Sequence, residues 1–141
     1  MSDDFYDVLI IGSGGAGLAA GIFGSKQGFK VAIISKIHPL KSHTVAAQGG
    51  INAALGNVEK DEPSWHIYDT IKASDFLADH DSVEEMCKMA PSMIQLLDDL
   101  GVEFDRNEEG KIDQKIYGGQ STNFGQGSMA KRACYSKDRT G

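Results

Sequence analysis

The chain has 141 residues, 40% of them hydrophobic, which suits one modest core. Its formal net charge of −6 argues against a broad basic face for nucleic-acid phosphates. The two cysteines, Cys87 and Cys134, form no C-x-x-C and no Cys/His ligand spacing, so no metal site is expected and both read as reduced, buried thiols.

In chain order, Met1-Ser2-Asp3-Asp4 is acidic where a secretory signal would be basic. No apolar run approaches the length of a membrane span. A chain soluble by itself, reaching a membrane only through partners, is the expectation. Phe5–Ile11 is a continuous, β-branched apolar run and reads as a parallel strand covered on both faces. Gly12-Ser13-Gly14-Gly15-Ala16-Gly17 follows at once, then a helix over Leu18–Gln27 closed by Gly28, then a second buried strand over Lys30–Ser35. Strand, glycine turn, helix and strand make one βαβ unit. The glycines, 17 in the whole chain, follow no repeat, and the excess belongs in turns and ligand loops.

Lys36–Asn57 has loop composition, with Ile51–Leu55 a short strand or a turn. Glu62-Pro63 opens a helix through about Ala78, with Trp65, Tyr68, Ile71 or Thr70, and Phe76 along its apolar face. Asp81-Ser82-Val83-Glu84 resembles a capping box for a second helix. That helix carries Val83, Met86 or Cys87, Ala90, Met93 or Ile94, Leu97 and Leu100 at helical spacing and ends at Gly101. Pro91 should split or kink it. Val102–Phe104 and Lys111–Ile116 read as strands of a hairpin around Asn107–Gly110. Gly118–Ser121 and Phe124–Gly127 form a second glycine-rich loop region, and Asp138-Arg139-Thr140-Gly141 ends the chain without a closing element. A doubly wound sheet needs more than two parallel strands, so a fragment of a larger protein is expected.

Gly12-x-Gly14-x-x-Gly17 is the dinucleotide fingerprint in its required context, after a strand and opening a helix. The first glycine makes the turn, the second admits a pyrophosphate, and the third lets helix and strand pack. The helix N-terminus offers free N–H groups and partial positive charge. The end of the second strand carries Ser35-Lys36 in place of the acidic residue of an NAD site, which suits a 2′-phosphate or an FAD ribose equally. Downstream, His43 stands between Ser42 and Thr44. An isolated loop histidine is ordinarily a surface residue. Here the alternative is an imidazole nucleophile toward the electrophilic 8α-methyl carbon of a flavin, with Ser42 and Thr44 orienting ring or flavin edge. His38, His66 and His80 read as structural or surface residues.

Ser42-His43-Thr44-Val45-Ala46-Ala47-Gln48-Gly49-Gly50-Ile51-Asn52-Ala53-Ala54-Leu55-Gly56-Asn57 resembles the flavin-attachment segment of succinate dehydrogenase and fumarate reductase flavoprotein subunits. Trp65-His66-x-Tyr68-Asp69-Thr70, Gly118-Gly119-Gln120-Ser121-x-x-Phe124-Gly125 and Asp138–Gly141 extend the likeness over nearly the whole chain, closest to the dehydrogenases. The resemblance implies an α/β, Rossmann-like FAD-binding domain, incomplete, of which residues 1–141 are the N-terminal portion. The capping domain and C-terminal helical domain would be absent.

By the same resemblance, Gly12, Ser13, Gly14, Gly15, Ala16 and Gly17 hold the FAD pyrophosphate, and Ser35 and Lys36 meet the adenosine side. Ser42, Thr44, Ala46, Ala47, Gln48, Gly49 and Gly50 line the flavin, with His43 its covalent 8α-histidyl anchor. Gln48, Gly49 and Phe124 face the dicarboxylate. Tyr117 stands where relatives often have Phe, and Lys41 where Arg is usual. The implied reaction is hydride transfer from succinate to FAD, with the proton-relay arginine expected beyond Gly141. Electrons would go to an iron–sulfur subunit of complex II, held by membrane-anchor subunits at the cytoplasmic face of a bacterial inner membrane or the matrix side of the mitochondrial one. Quinol:fumarate reductase flavoproteins share the histidine. L-Aspartate oxidase-like flavoproteins lack it, and an inert FAD- or NADP-binding module would not need it.

Overall fold

A computed structural model describes residues 5–137 and 139–141; the acidic start Met1–Asp4 and Asp138 of the closing motif lie outside the described residues. The chain divides into two compact units, Met1–Ala47 with Gly141, and Gln48–Thr140.

In the first unit β1 (Val8–Ile11) pairs in parallel with β2 (Val31–Ile34), Val8 opposite Val31 and Ile11 opposite Ile34. The helix between them, α1 (Gly15–Lys26), makes this the expected βαβ unit. It starts at Gly15 rather than Leu18, because small residues fit a first turn laid against the strand end. Gly21, its one buried residue, sits on the sheet where a Cβ would come within 2.9 Å of Ile33 Cδ1. The strands were expected to be covered on both faces. Instead Val8 and Ile10 are half-buried, while Leu9 and Ile11 are 57% and 87% exposed. One helix covers one face of two strands, and the other face needs a further layer.

The second unit holds an antiparallel sheet in the order β3 (Ile51–Asn52), β5 (Met129–Cys134), β4 (Gln114–Ser121). Its central strand, β5, had no counterpart in the sequence reading, which left the end of the chain without an element. The hairpin is only partly formed. Asn107 Oδ1 accepts from the N–H groups of Glu109 and Lys111, 3.0 Å each, and Arg106 bridges to Ile112. Val102–Phe104 is no strand, and β4 pairs with β5 instead. Of the region read as a glycine-rich loop, Gly118–Ser121 is the second half of β4, while Phe124–Gly127 lies outside any strand, as expected. The register slips between Ile116 and Ser121, where Gly118 and Gly119 have φ of +72° and +68°.

The helix α2 (Pro63–Ala73) carries Pro63 in its first turn as expected, and stops early because Asp75 and Phe76 turn left-handed. Its buried face is His66 and Asp69, not the aromatic row; Phe76 is 61% exposed. The helix α3 (His80–Asp99) is capped two residues before the expected box, by Asp79, whose carboxylate accepts from Ser82 N–H at 3.1 Å. It runs unbroken through Pro91. Proline removes one helical donor, but Val83, Cys87 and Ile94 are buried on both sides of it, and that packing holds the helix together. Gly101, at φ +98°, ends it as expected. Ile94 joins Ala53, Phe104, Ile112 and Cys134 in the core. Both cysteines are free and buried.

At the centre of this unit Arg132 is fully buried. Its Nε and Nη2 fork onto the two oxygens of Asp61 at 2.7 and 2.6 Å. Nη1 donates to Asp69 at 3.0 Å and to Gln120 Oε1 at 2.6 Å, and Nη2 also to the Ser121 carbonyl at 3.2 Å. A guanidinium has five N–H donors, and these bonds use all of them. Asp69 is held in turn by Ser121 N–H and Oγ–H, each 2.7 Å. Beside them His66 is 5% exposed, and its Nδ1 has no partner among the described residues.

Burial, aided by the Arg132 charge, lowers the His66 pKa from 6.5 to about 4. The fold therefore keeps His66 neutral while the unfolded chain protonates near 6.5, so this stabilisation is complete above that pH and is lost as pH falls toward 4. Urea titrations should show a loss of about 3 kcal/mol over this interval that His66→Gln largely removes; an unchanged slope in that variant would contradict the assignment.

Candidate functional site

The glycine turn of the first unit is built by close approach. Gly12 leaves β1 at φ +114°, its N–H donating to the Ile34 carbonyl at 2.7 Å. A Cβ at Gly17 would overlap the Gly12 carbonyl oxygen, so α1 can start here only with glycine at 17. Gly14 caps α1 with extended backbone and no side chain, and the first turn carries no acidic residue. This is a cradle of N–H groups opened by Gly14 and Gly15 and free of negative charge, and a dinucleotide pyrophosphate fits it. Ala16 contributes backbone to the same turn.

At the end of β2, Ser13 Oγ donates to Ser35 Oγ at 2.7 Å, and Ser35 Oγ donates to the Ile37 carbonyl at 2.7 Å. With its hydrogen engaged, Ser35 Oγ has only acceptor capacity left for a further partner. Lys36 is exposed beside it.

The histidine segment begins after a short 3-10 turn over Pro39–Lys41, which His38 caps by accepting from Leu40 N–H at 3.3 Å. Ser42–Ala46 then curls tightly, Ala46 N–H reaching the Ser42 carbonyl at 3.3 Å and Ala47 N–H the Thr44 carbonyl at 3.1 Å. His43 is exposed, and its imidazole makes no hydrogen bond among the described residues. Thr44 Oγ1 accepts from Gly15 N–H at 3.0 Å. The first unit thus gathers Gly12–Gly17, Ser35, Lys36 and Ser42–Ala47.

Gln48, Gly49, Gly50 and Phe124 belong to the second unit. Gln48 is exposed. Gly49 lies under the Tyr117 ring, whose atoms would stand 2.6–2.8 Å from a Cβ. Gly50, at φ +109°, has the Cys134 carbonyl 2.7 Å from where its Cβ would be. Both glycines therefore have packing reasons to be glycine, which their reading as ligand-approach residues did not include. Phe124 is left-handed, at φ 54° and ψ 42°, and meets Tyr68 edge-on at 5.9 Å. Strained backbone on a bulky residue marks a side chain aimed by its surroundings. The sequence reading missed Tyr68 as its support, and missed the Thr44–Gly15 bond, which spans residues that no local pattern connects.

Residues 7–141 match the FAD binding domain family. The chain is 53% identical, over 96% of its own length, to the succinate dehydrogenase flavoprotein subunit of Rickettsia bellii, of which it covers 23%. It is 52% identical over 99% of its length to the mitochondrial succinate dehydrogenase [ubiquinone] flavoprotein subunit of Oryza sativa subsp. japonica, covering 22%. Among solved structures, the Mycobacterium smegmatis Sdh1 complex in the apo form superposes with a TM-score of 0.85 at 38% identity, over 96% of this chain and 22% of that one. The chain thus spans less than a quarter of the length of these relatives.

Two substitutions separate the close approach from general glycine strain. Gly17→Ala is expected to unfold the first unit, because backbone has to move. Gly28→Ala, at φ +89° with open space around it, should cost only about 1–2 kcal/mol. Amide exchange in β1 reads both; equal protection in the two variants would refute the crossing as the constraint.

Proposed function

The chain belongs to the FAD binding domain family, and from that premise we propose that it is the N-terminal, cofactor-holding part of the flavoprotein subunit of a succinate:quinone oxidoreductase. The observation that carries the reading is a free imidazole, His43, one residue from the hydrogen bond that ties its segment to the first turn of α1. The relatives named above as succinate dehydrogenase flavoprotein subunits support the same assignment.

In this reading the turn Gly12–Gly17 binds the FAD pyrophosphate through backbone N–H groups, aided by the partial positive charge of α1. Ser35 accepts from the adenosine ribose, and Lys36 adds a cation beside it. His43 anchors the flavin covalently through its 8α carbon, and Ser42, Ala46 and Ala47 line the ring. Gln48, Gly49 and Phe124 face the dicarboxylate. FAD, when bound, supplies the two-electron acceptor for hydride from succinate, and a covalent link raises its potential toward that poor donor. The arginine that relays the proton and the groups that clamp the carboxylates belong to sequence outside these residues.

Electrons would pass to an iron–sulfur subunit, and membrane-anchor subunits would hold the assembly at the inner membrane, on its cytoplasmic side in bacteria or its matrix side in mitochondria. Among the described residues no helix is long and apolar enough to cross a membrane, which suits a peripheral subunit.

Covalent attachment is tested by precipitating the full-length holoprotein in acid and reading flavin fluorescence in the denatured band. The wild type should fluoresce, and His43→Ser should release its FAD and lose succinate oxidation. Fluorescence that survives the substitution would remove His43 as the anchor.

A further inference from the structure

The hydroxyl next to His43 is already committed to another element. Thr44 Oγ1 accepts from Gly15 N–H at 3.0 Å, a first-turn donor that no carbonyl of α1 can reach. The rest of the side chain is seated as well. A Cβ at Gly15 would lie 3.2 Å from Thr44 Cγ2 and 3.4 Å from its Oγ1. A Cβ at Gly14 would lie 3.4 Å from Thr44 Oγ1 and 3.9 Å from Ser42 Cβ. Gly14 and Gly15 are therefore open on the side where the histidine segment lands, so a phosphate is not the only group their missing side chains admit.

We propose that Thr44 is a positioning residue for flavin attachment: it straps the His43 segment to the start of α1, so that the element binding the pyrophosphate also fixes where the imidazole is presented. This rests on the reading of FAD and His43 given above. Attachment joins a His43 imidazole nitrogen to the flavin 8α carbon. The imidazole N–H and one 8α hydrogen are lost as two protons, and the two electrons released reduce fumarate, which takes up two protons to become succinate. The bond forms only when nitrogen and carbon are held close and aligned, and restraining a turn segment raises that probability. Ala46 and Ala47 N–H groups bond within the segment and give it shape. The Thr44–Gly15 bond gives it an address.

The full-length subunit, expressed in cells supplied with riboflavin and fumarate, gives the test. The rate of covalent incorporation is followed by fluorescence in acid-denatured bands, and FAD affinity is measured separately on the apoprotein. Thr44→Val keeps the shape and removes the acceptor; it should slow attachment by about tenfold, the worth of one such bond, a larger loss than any in FAD affinity. Thr44→Ser keeps the hydroxyl and should attach at close to the wild-type rate. Gly15→Ala presses on Thr44 Cγ2 and should slow attachment, and Thr44→Ser, which lacks that carbon, should rescue it.

Faster amide exchange at Gly15 in Thr44→Val apoprotein reads the strap without any flavin. Attachment at the wild-type rate in Thr44→Val would overturn the proposal and leave the FAD reading intact. So would a loss of FAD affinity matching the loss of attachment rate, which would make Thr44 a nucleotide contact only. Wild-type protein that binds FAD without a covalent bond would overturn the His43 reading and this proposal with it. Should Thr44→Val fail to fold, the Gly15→Ala and Thr44→Ser pair decides, absence of rescue counting against the strap.

Discussion

The first unit depends on one steric constraint, the meeting of Gly17 with the carbonyl of Gly12. Because no side chain intervenes, α1 begins close to the end of β1, and its first-turn N–H groups, Gly15's taken by Thr44, open at the mouth of the turn. Everything proposed for the cofactor follows from that placement. The turn has no acid to repel a phosphate, Ser13 and Ser35 are linked at the neighbouring strand end, and the segment bearing His43 is tied to the same first turn through Thr44. In the proposed reading a modest βαβ unit thereby combines an anion cradle and a nucleophile without a long-range scaffold.

The second unit is organised by a different force. Burying a guanidinium costs several kcal/mol unless its partners are complete. For Arg132 they are: two carboxylates, an amide and a carbonyl take all five donors, and they come from the segment before α2, from α2 and from β4. A network of this kind adds little net stability over an apolar core of equal volume, but it accepts only one arrangement of its elements. It therefore fixes the register of β5 against β4, and with it Cys134 behind Gly50 and the ring of Tyr117 over Gly49. Burial beside this network, aided by the Arg132 charge and opposed by Asp61 and Asp69, keeps His66 neutral.

Where local pattern carries the information, the elements are legible in the sequence. The β-branched runs of β1 and β2, the fingerprint between them, Pro63 at the start of α2 and Gly101 after α3 each act through neighbours in the chain. Elements set by distant partners are not. β5 hides because its pattern, Met-Ala-Lys-Arg-Ala-Cys, places an arginine where a buried strand shows an apolar residue, and only Asp61 and Asp69 make that tolerable. The inward face of α2 was misjudged for the same reason, since Asp69 turns in to meet Arg132. Pro91 should have broken α3 by its own chemistry, and was overruled by burial on either side. Of the candidate site, the turn and the exposed histidine were legible; the Thr44–Gly15 bond, between residues 29 apart, was not. The roles of His43, Gln48 and Phe124 rest on resemblance to a family rather than on spacing.

The central claim is that one short turn delivers a flavin to one imidazole. A structure of the complete flavoprotein with FAD tests it most directly. The account predicts the pyrophosphate against the backbone N–H groups of Gly14 and Ala16, with Gly15 N–H still bonded to Thr44, and continuous density from the His43 ring to the 8α carbon. An imidazole turned to bulk solvent, with the isoalloxazine held elsewhere, would contradict it.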